Sequence, residues 1–140
     1  MSIKFLKRSF FQRLLGISAT TKPETDDSWN YADGKLTIDL DKALELKNPG
    51  GAIRLEGKNL PKRVLVVCGE DRKYRAFHNR CTHFGHRRLD PVPGTDTVQC
   101  CSINKSTYDS EGNKIFGPTP HPVTRYSVKK EQENLIVSIS

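Results

Sequence analysis

The sequence predicts an all-β fold, an antiparallel sandwich or small barrel. Three observations lead there. From Trp29 onward, short runs rich in β-branched and aromatic residues recur at close spacing. Turn-forming pairs and triplets separate many of them: Asp33-Gly34, Pro49-Gly50-Gly51, Gly69-Glu70-Asp71, Glu111-Gly112-Asn113 and the polar Lys130–Glu133. Alternation of apolar with polar residues is clear in Leu36/Ile38/Leu40 and again in Leu135/Val137/Ile139. Period two is the signature of a strand with one buried face.

Taken along the chain, the expected strands are 35–40, 52–56, 64–68, 74–78, 98–101, 106–109, 114–116, 126–129 and 135–139. The run Asp41–Lys47 is compatible with one helical turn. Cys68 ends the apolar run "RVLVVC" and reads as core, because a buried free cysteine behaves as a small hydrophobe. The chain of 140 residues is long enough for one domain with a real core. Its mean hydropathy of -0.60 and 28% charged residues describe a water-facing surface, and no apolar run has the length to span a bilayer.

Net charge is +7 but unevenly spread. Residues 1–23 hold Lys4, Lys7, Arg8, Arg13 and Lys22 and no acid. Taking those five from 23 basic residues leaves 18 against 16 acids, so the body is nearly neutral. A nucleic-acid surface needs basic charge on a folded face with aromatics between, so no nucleic-acid partner is expected. Residues 1–27 read as a basic tail and linker, ahead of a domain over 28–140. Leu6, Phe10, Leu14 and Ile17 fall on one helical stripe. Lys7-Arg8-Ser9-Phe10-Phe11 resembles the front of a twin-arginine export signal, but the apolar run behind it is short and interrupted by Arg13. The lack of acids also fits an organelle transit peptide, and a loosely docked helix is the plainer reading. The expected compartment is therefore the cytoplasm, with export or organelle import as the alternative. The tail is also a candidate for peripheral membrane contact.

The chemistry sits in the cysteines: Cys68, Cys81, Cys100 and Cys101. With histidines close by, ligation is a better first reading than a disulfide framework. Cys81-Thr82-His83 places a thiol and an imidazole two residues apart, where both can reach one metal. Cys100 and Cys101 follow after the turn Asp90-Pro91-Val92-Pro93-Gly94. Sulfur and imidazole donors together suit iron–sulfur or zinc.

At this point the stretch from about Leu36 to Ile139 resembles a Rieske-type domain. The matching pieces are Asn79-Arg80-Cys81-Thr82-His83-Phe84-Gly85, then Cys101 through Tyr108-Asp109, then "GNKIFGPTPHPVTRYSV" with its proline loop. The resemblance implies an antiparallel β-sandwich carrying a small cluster-binding subdomain, about 79–122, of two loops plus the proline loop. It also implies a 2Fe-2S cluster held by Cys-x-His and Cys-x-x-His, one iron on two thiolates and the other on two imidazoles. Cys81 and His83 match the first pair. Counting back from Tyr108-Asp109 makes Cys101 the second thiolate and puts Asn104 where the second histidine belongs. Counting from Cys100 puts Ile103 there. Neither register supplies an imidazole.

Several groups are candidates for the fourth position. The Asn104 amide oxygen is a hard, weak donor for iron. Lys105 would have to lose its proton. Cys100 could ligate only if the chain turns between it and Cys101, since neighbours in a strand point to opposite faces. His86, His121 and water complete the set. The positions of the family's loop-to-loop disulfide fall on His86 and Ile103, so that bridge is excluded and a low reduction potential is expected.

The functional expectation is an electron carrier, or a component of an oxidoreductase, rather than a stand-alone catalyst. Its partner would be a redox protein docking near the cluster loops, where Arg72, Lys73, Arg75, Arg80, Arg87 and Arg88 could attract an acidic surface. The alternatives are a binding or assembly module without a cluster and a mononuclear zinc or iron site on Cys81, His83, Cys101 and one further donor. No nucleophile triad or phosphate-binding glycine loop stands out.

Overall fold

A computed structural model describes residues 4–82, 87–118 and 121–139. Its regular structure is almost entirely β-strand. Seven strands lie in one continuous sheet, in the order β1-β2-β11-β10-β5-β4-β3. These are β1 (Trp29–Ala32), β2 (Lys35–Asp39), β3 (Ala52–Leu55), β4 (Val64–Cys68), β5 (Tyr74–His78), β10 (Arg125–Glu131) and β11 (Asn134–Ser138). A second sheet runs β6-β7-β8-β9, from β6 (Leu89–Pro91), β7 (Val98–Cys100), β8 (Thr107–Tyr108) and β9 (Lys114–Phe116). The assigned pairs are antiparallel, as the short turns require.

Long β10 makes the large sheet a sandwich. Its first residues, Arg125 and Tyr126, pair with β5, while Ser127–Glu131 pair with β11. The strand thus passes from one half of the sheet to the other, and the halves close on a shared core. Leu36 and Ile38 of β2 and Leu135 and Val137 of β11 meet Ile53, Leu55, Val64, Val66 and Ala76 there. The alternating residues of β2 and β11 are the inward ones.

A different rule governs β4, which is buried along its whole length. Val64 and Val66 face the sandwich core, while Leu65 and Val67 belong to a second core with Phe77, Leu89, Val98, Tyr108 and Val123. A strand covered on both faces reads as an unbroken apolar run, and "VLVVC" is one. The second core is where the small sheet rests on the large one. Cys68 is 2% exposed at the end of β4, and burial raises its thiol pKa.

The Asp33-Gly34 turn shows how local sequence sets the register. Both residues have positive φ, 52° and 77°, as a two-residue hairpin turn with right-handed strand twist requires. It aligns Ala32 with Lys35 and Trp29 with Ile38.

Two strands were not expected from sequence. β1 is a short run beside a turn. β6 carries Pro91 and Asp90, a composition that reads as loop. Asp90 is nonetheless fully buried, because the N-terminal segment satisfies it. Ser18 Oγ donates to its carboxylate at 2.7 Å, Thr20 N at 2.9 Å and Ala19 N at 2.8 Å. The helical turn expected near Asp41–Lys47 is a 3-10 turn over Leu44–Leu46.

Deleting buried apolar volume should be costly here and nowhere near the surface. Leu36→Ala is expected to lower the unfolding free energy by about 2–5 kcal/mol. Ile115→Ala, at a partly exposed position, should change it by about 0.5 kcal/mol or less. Urea unfolding followed by Trp29 fluorescence measures both.

Candidate metal centre

The first cysteine loop leaves the end of β5. Asn79 fixes its start: the buried side-chain oxygen accepts from Leu89 N at 2.7 Å, tying the loop to β6. The feet of the loop are joined where Cys81 N donates to the Arg87 carbonyl at 2.6 Å. His83 and His86 lie between those feet and outside the described residues. Thr82 connects this loop to the proline loop by donating its hydroxyl to the His121 carbonyl at 2.6 Å. Residues 119 and 120 of the proline loop are likewise outside the described set.

The second loop is a tight excursion between β7 and β8. Cys100 N donates to Ser106 O at 2.7 Å and Lys105 N to Ser102 O at 3.2 Å. Lys105 sits at φ 53°, a left-handed turn conformation uncommon for residues other than glycine. The Asn104 side-chain oxygen accepts from Ser106 N at 2.8 Å, so it points back into its own loop.

Strand alternation sorts the residues of β7. Val98 and Cys100 face the second core, along with Tyr108 and Cys81. Gln99 and Cys101 face the other way. The Cys100 side chain lies in the same buried cluster as Cys81, and its sulfur is 3.1 Å from Ser102 Oγ. The Cys81 sulfur also lies 3.6 Å from the Tyr108 hydroxyl. That hydroxyl is 2.9 Å from Thr82 Oγ1, whose single proton goes to His121, so Tyr108 donates to it. The neighbouring Cys81 thiol, followed by burial, drives the Cys100 thiol pKa far up.

Cys101 has different surroundings. Its sulfur donates to the Gly16 carbonyl at 3.2 Å, beneath the N-terminal segment. Burial raises its pKa, and the Asp90 carboxylate adds to the rise. The structure therefore brings Cys81 and Cys100 together, whereas Cys101 and Asn104 are held by partners in other directions.

The side to which Cys101 points is covered by the segment expected to be a tail. Residues 5–21 run as a strap over the second loop and β6. The strap contains the short helix α1 (Phe10–Leu14), capped by Ser9 and Gln12. Arg13 is 4% exposed and points inward. Its Nη1 donates to the carbonyls of Cys100 and Ser102, each at 3.3 Å, and its Nη2 donates to Gln99 Oε1 at 3.0 Å. Arg87 Nη1 donates to Leu15 O at 3.0 Å from the opposite side. Nothing in the sequence pattern marks Arg13 for this position, because its acceptors are backbone carbonyls nearly ninety positions away.

Among the described residues, no three His, Cys, Asp or Glu side chains gather closely enough to hold a metal ion. Two features nonetheless fit the sulfur-bound half of a 2Fe-2S cluster. The Cys81 and Cys100 thiols share one buried space. Ser106 Oγ, at the base of the second loop, is buried without a hydrogen-bond partner. A buried hydroxyl in that state is rare and suits a missing acceptor such as sulfur.

Of the basic rim, several members are already engaged. Arg75 pairs with Asp71 at 2.8 Å, and Arg88 pairs with Glu56 at 2.5 Å. The guanidinium of Arg88 holds the Glu56 carboxyl below its ordinary value. A depressed folded-state pKa contributes stability above the unfolded value, and that stability is lost as pH falls through the folded one. Wild type should thus lose stability on acidification below about pH 4.3, the usual carboxylate value. Glu56→Gln should flatten that acid limb, and thermal melts across pH 3–7 read the difference.

Removing the strap's anchor gives a second expected outcome. Arg13→Ala should destabilise the fold by about 1–3 kcal/mol by leaving buried carbonyls unpaired. It should also speed alkylation of Cys101 more than that of Cys100, measured by peptide mass spectrometry.

Comparison with known proteins agrees with this architecture. The family model of the Rieske [2Fe-2S] domain matches residues 38–127. The glycine betaine monooxygenase oxygenase subunit of Pseudomonas aeruginosa is 33% identical over 76 residues, which cover 54% of this chain and 17% of that relative. The chain thus spans under a fifth of the curated relative it matches. Among solved structures, the ferredoxin of carbazole 1,9a-dioxygenase from Nocardioides aromaticivorans superposes with a TM-score of 0.59 at 19% identity, covering 74% of this chain and 95% of that one. The quaternary ammonium Rieske monooxygenase CntA superposes with a TM-score of 0.55 at 17% identity, covering 81% of this chain and 32% of that one. By the family match across most of its length, and with the fold to go with it, this chain belongs to the Rieske [2Fe-2S] domain family.

Proposed function

We propose that this chain is an electron-transfer protein carrying a 2Fe-2S cluster in which the second histidine ligand has been replaced. Asn104 stands at that ligand's position in the register counted from Tyr108-Asp109, and Ile103 stands there in the register counted from Cys100. Cys81 and His83 are the ligands from the first loop. The second thiolate is Cys101 by that count and Cys100 by the direction its side chain faces. We take Cys100, because the burial of Cys81 and Cys100 in one cluster, from which Cys101 is absent, is the observation that carries the reading. Paired thiolates suit the iron that takes both sulfurs in this family.

When bound, the cluster supplies one-electron chemistry; the chain supplies its surroundings. Both thiols must give up their protons to ligate, so binding releases protons into a buried site. The Tyr108 hydroxyl lies beside the Cys81 sulfur while donating to Thr82, and Ser106 Oγ offers a donor that nothing else among the described residues uses. Thr82 and the His121 carbonyl hold the first loop against the proline loop. The proposed partner is a redox protein that docks beside the cysteine loops, near exposed Arg80 and Arg87. The likeness to a dioxygenase ferredoxin supports an oxygenase or reductase component in that role.

A second reading, a Rieske-fold module without a cluster, has its own support. Asn104's oxygen is spent on Ser106 N, and the loop beside it is tied down by Arg13. Reconstitution with iron and sulfide under anaerobic conditions separates the readings. The electron-carrier reading expects equal iron and sulfide in wild type, with loss in Cys81→Ser and Cys100→Ser but not in Cys101→Ser. Loss in Cys101→Ser alone would restore the counted register. A colourless wild type whose Asn104→His or Ile103→His variant gains a cluster would establish the module reading, and zinc without sulfide would establish a mononuclear site.

A further inference from the structure

We infer that the outward face of the N-terminal strap binds the surface of an anionic lipid bilayer. The strap packs with its usual polarity inverted. A helix docked on a protein normally buries its apolar side and exposes its charges. Here the buried side chain is Arg13, at 4% exposure. The apolar side chains are outside: Phe10 is 64% exposed, Phe11 71% and Leu15 63%, with Leu14 and Ile17 near half. The stripe formed by Phe10, Leu14 and Ile17 is thus turned to solvent. Phe10 and Phe11 lie side by side, their ring centroids 5.9 Å apart. Ile103, in the second loop whose Ser102 carbonyl Arg13 reaches, is also exposed, at 53%.

This arrangement is fixed from the inside. Arg13 reaches three acceptors on the second loop and β7, Asp90 takes three donors from residues 18–20, and Cys101 holds Gly16. The strap cannot roll its phenylalanines inward without unpairing these buried groups. An exposed apolar patch held rigidly in place marks an interaction site.

Charge selects the occupant. Lys4 and Lys7 are exposed, Arg8 is half-buried, and residues 1–23 contain no acid. Exposed aromatic and aliphatic side chains on a segment whose charges are all cations match an interfacial surface that sinks its apolar side to the headgroup boundary, with cations against anionic headgroups. The reading does not depend on a cluster being bound. It would place the cysteine loops beside the membrane plane.

Co-sedimentation of the full chain with vesicles tests it. Binding is expected to vesicles of equal parts phosphatidylcholine and phosphatidylglycerol, with little binding to phosphatidylcholine alone. High salt should release it, as screening demands. The double variant Phe10→Asp/Phe11→Asp, at exposed positions, should keep the wild-type melting temperature and lower vesicle partitioning by about tenfold or more. Lys4→Glu/Lys7→Glu should weaken binding to anionic vesicles only. The proposal fails if wild type stays in solution with both vesicle types at low salt, or if the phenylalanine variant partitions like wild type. It fails equally if light scattering finds a dimer that the phenylalanine variant dissolves, because the face would then belong to a second copy.

Discussion

Everything in this fold follows from one constraint: β4 and β5 have to be covered on both faces. One face closes the sandwich through Val64, Val66 and Ala76. The other, Leu65, Val67 and Phe77, would lie open to water without the small sheet. Covering it is worth several kcal/mol at the usual value of about 25 cal/mol for each Å² of apolar surface removed from water. That gain draws β6, β7 and β8 down onto the large sheet, and the two cysteine-bearing loops come with them. Cys81 follows β5 and Cys100 ends β7, so the packing that covers β5 also places the two thiols side by side. The candidate centre is a product of core formation rather than an addition to it.

How much of this the sequence displays depends on the range of the interaction. Period-two runs such as Leu36/Ile38 and Leu135/Val137 are local, and their strands can be read directly. The continuous run of β4 is equally plain, because it records burial on both faces. By contrast, β6 is invisible in composition. Asp90 and Pro91 look like a turn until Ser18, Ala19 and Thr20 arrive from seventy positions away to satisfy the carboxylate. The strap has the same quality. Arg13 interrupts an apolar stripe and looks like a defect in it, yet it is the anchor.

The same distinction explains the second cysteine. Counting residues from Tyr108-Asp109 is a one-dimensional measure, and it selects Cys101. Which thiol faces Cys81 is decided by pairing: Leu89 opposite Cys100 and Val98 opposite Tyr108. In a strand, a shift of one residue exchanges the two faces, so adjacent cysteines are the case in which counting and facing can disagree most sharply. The exchange also separates the neighbours of each thiol. Cys100 shares the apolar interior with Cys81 and Tyr108, while Cys101 shares the strap side with Gln99, which Arg13 reaches.

The buried guanidinium of Arg13 carries the argument one step further. Burial lowers its pKa, the sign of a charge that would be costly to hold without compensation. Among the described residues no carboxylate is hydrogen-bonded to it; four oxygens are, from Leu6, Gln99, Cys100 and Ser102. Because two of those are the main-chain carbonyls of Cys100 and Ser102, the charge loses half of its acceptors if the second cysteine loop leaves its present path. Loop and strap therefore impose a shape on each other. A change that re-aims the loop, such as turning Cys101 toward Cys81, must also find new partners for a buried cation. That coupling gives the chain's first twenty residues a direct physical hold on the geometry of its sulfur donors.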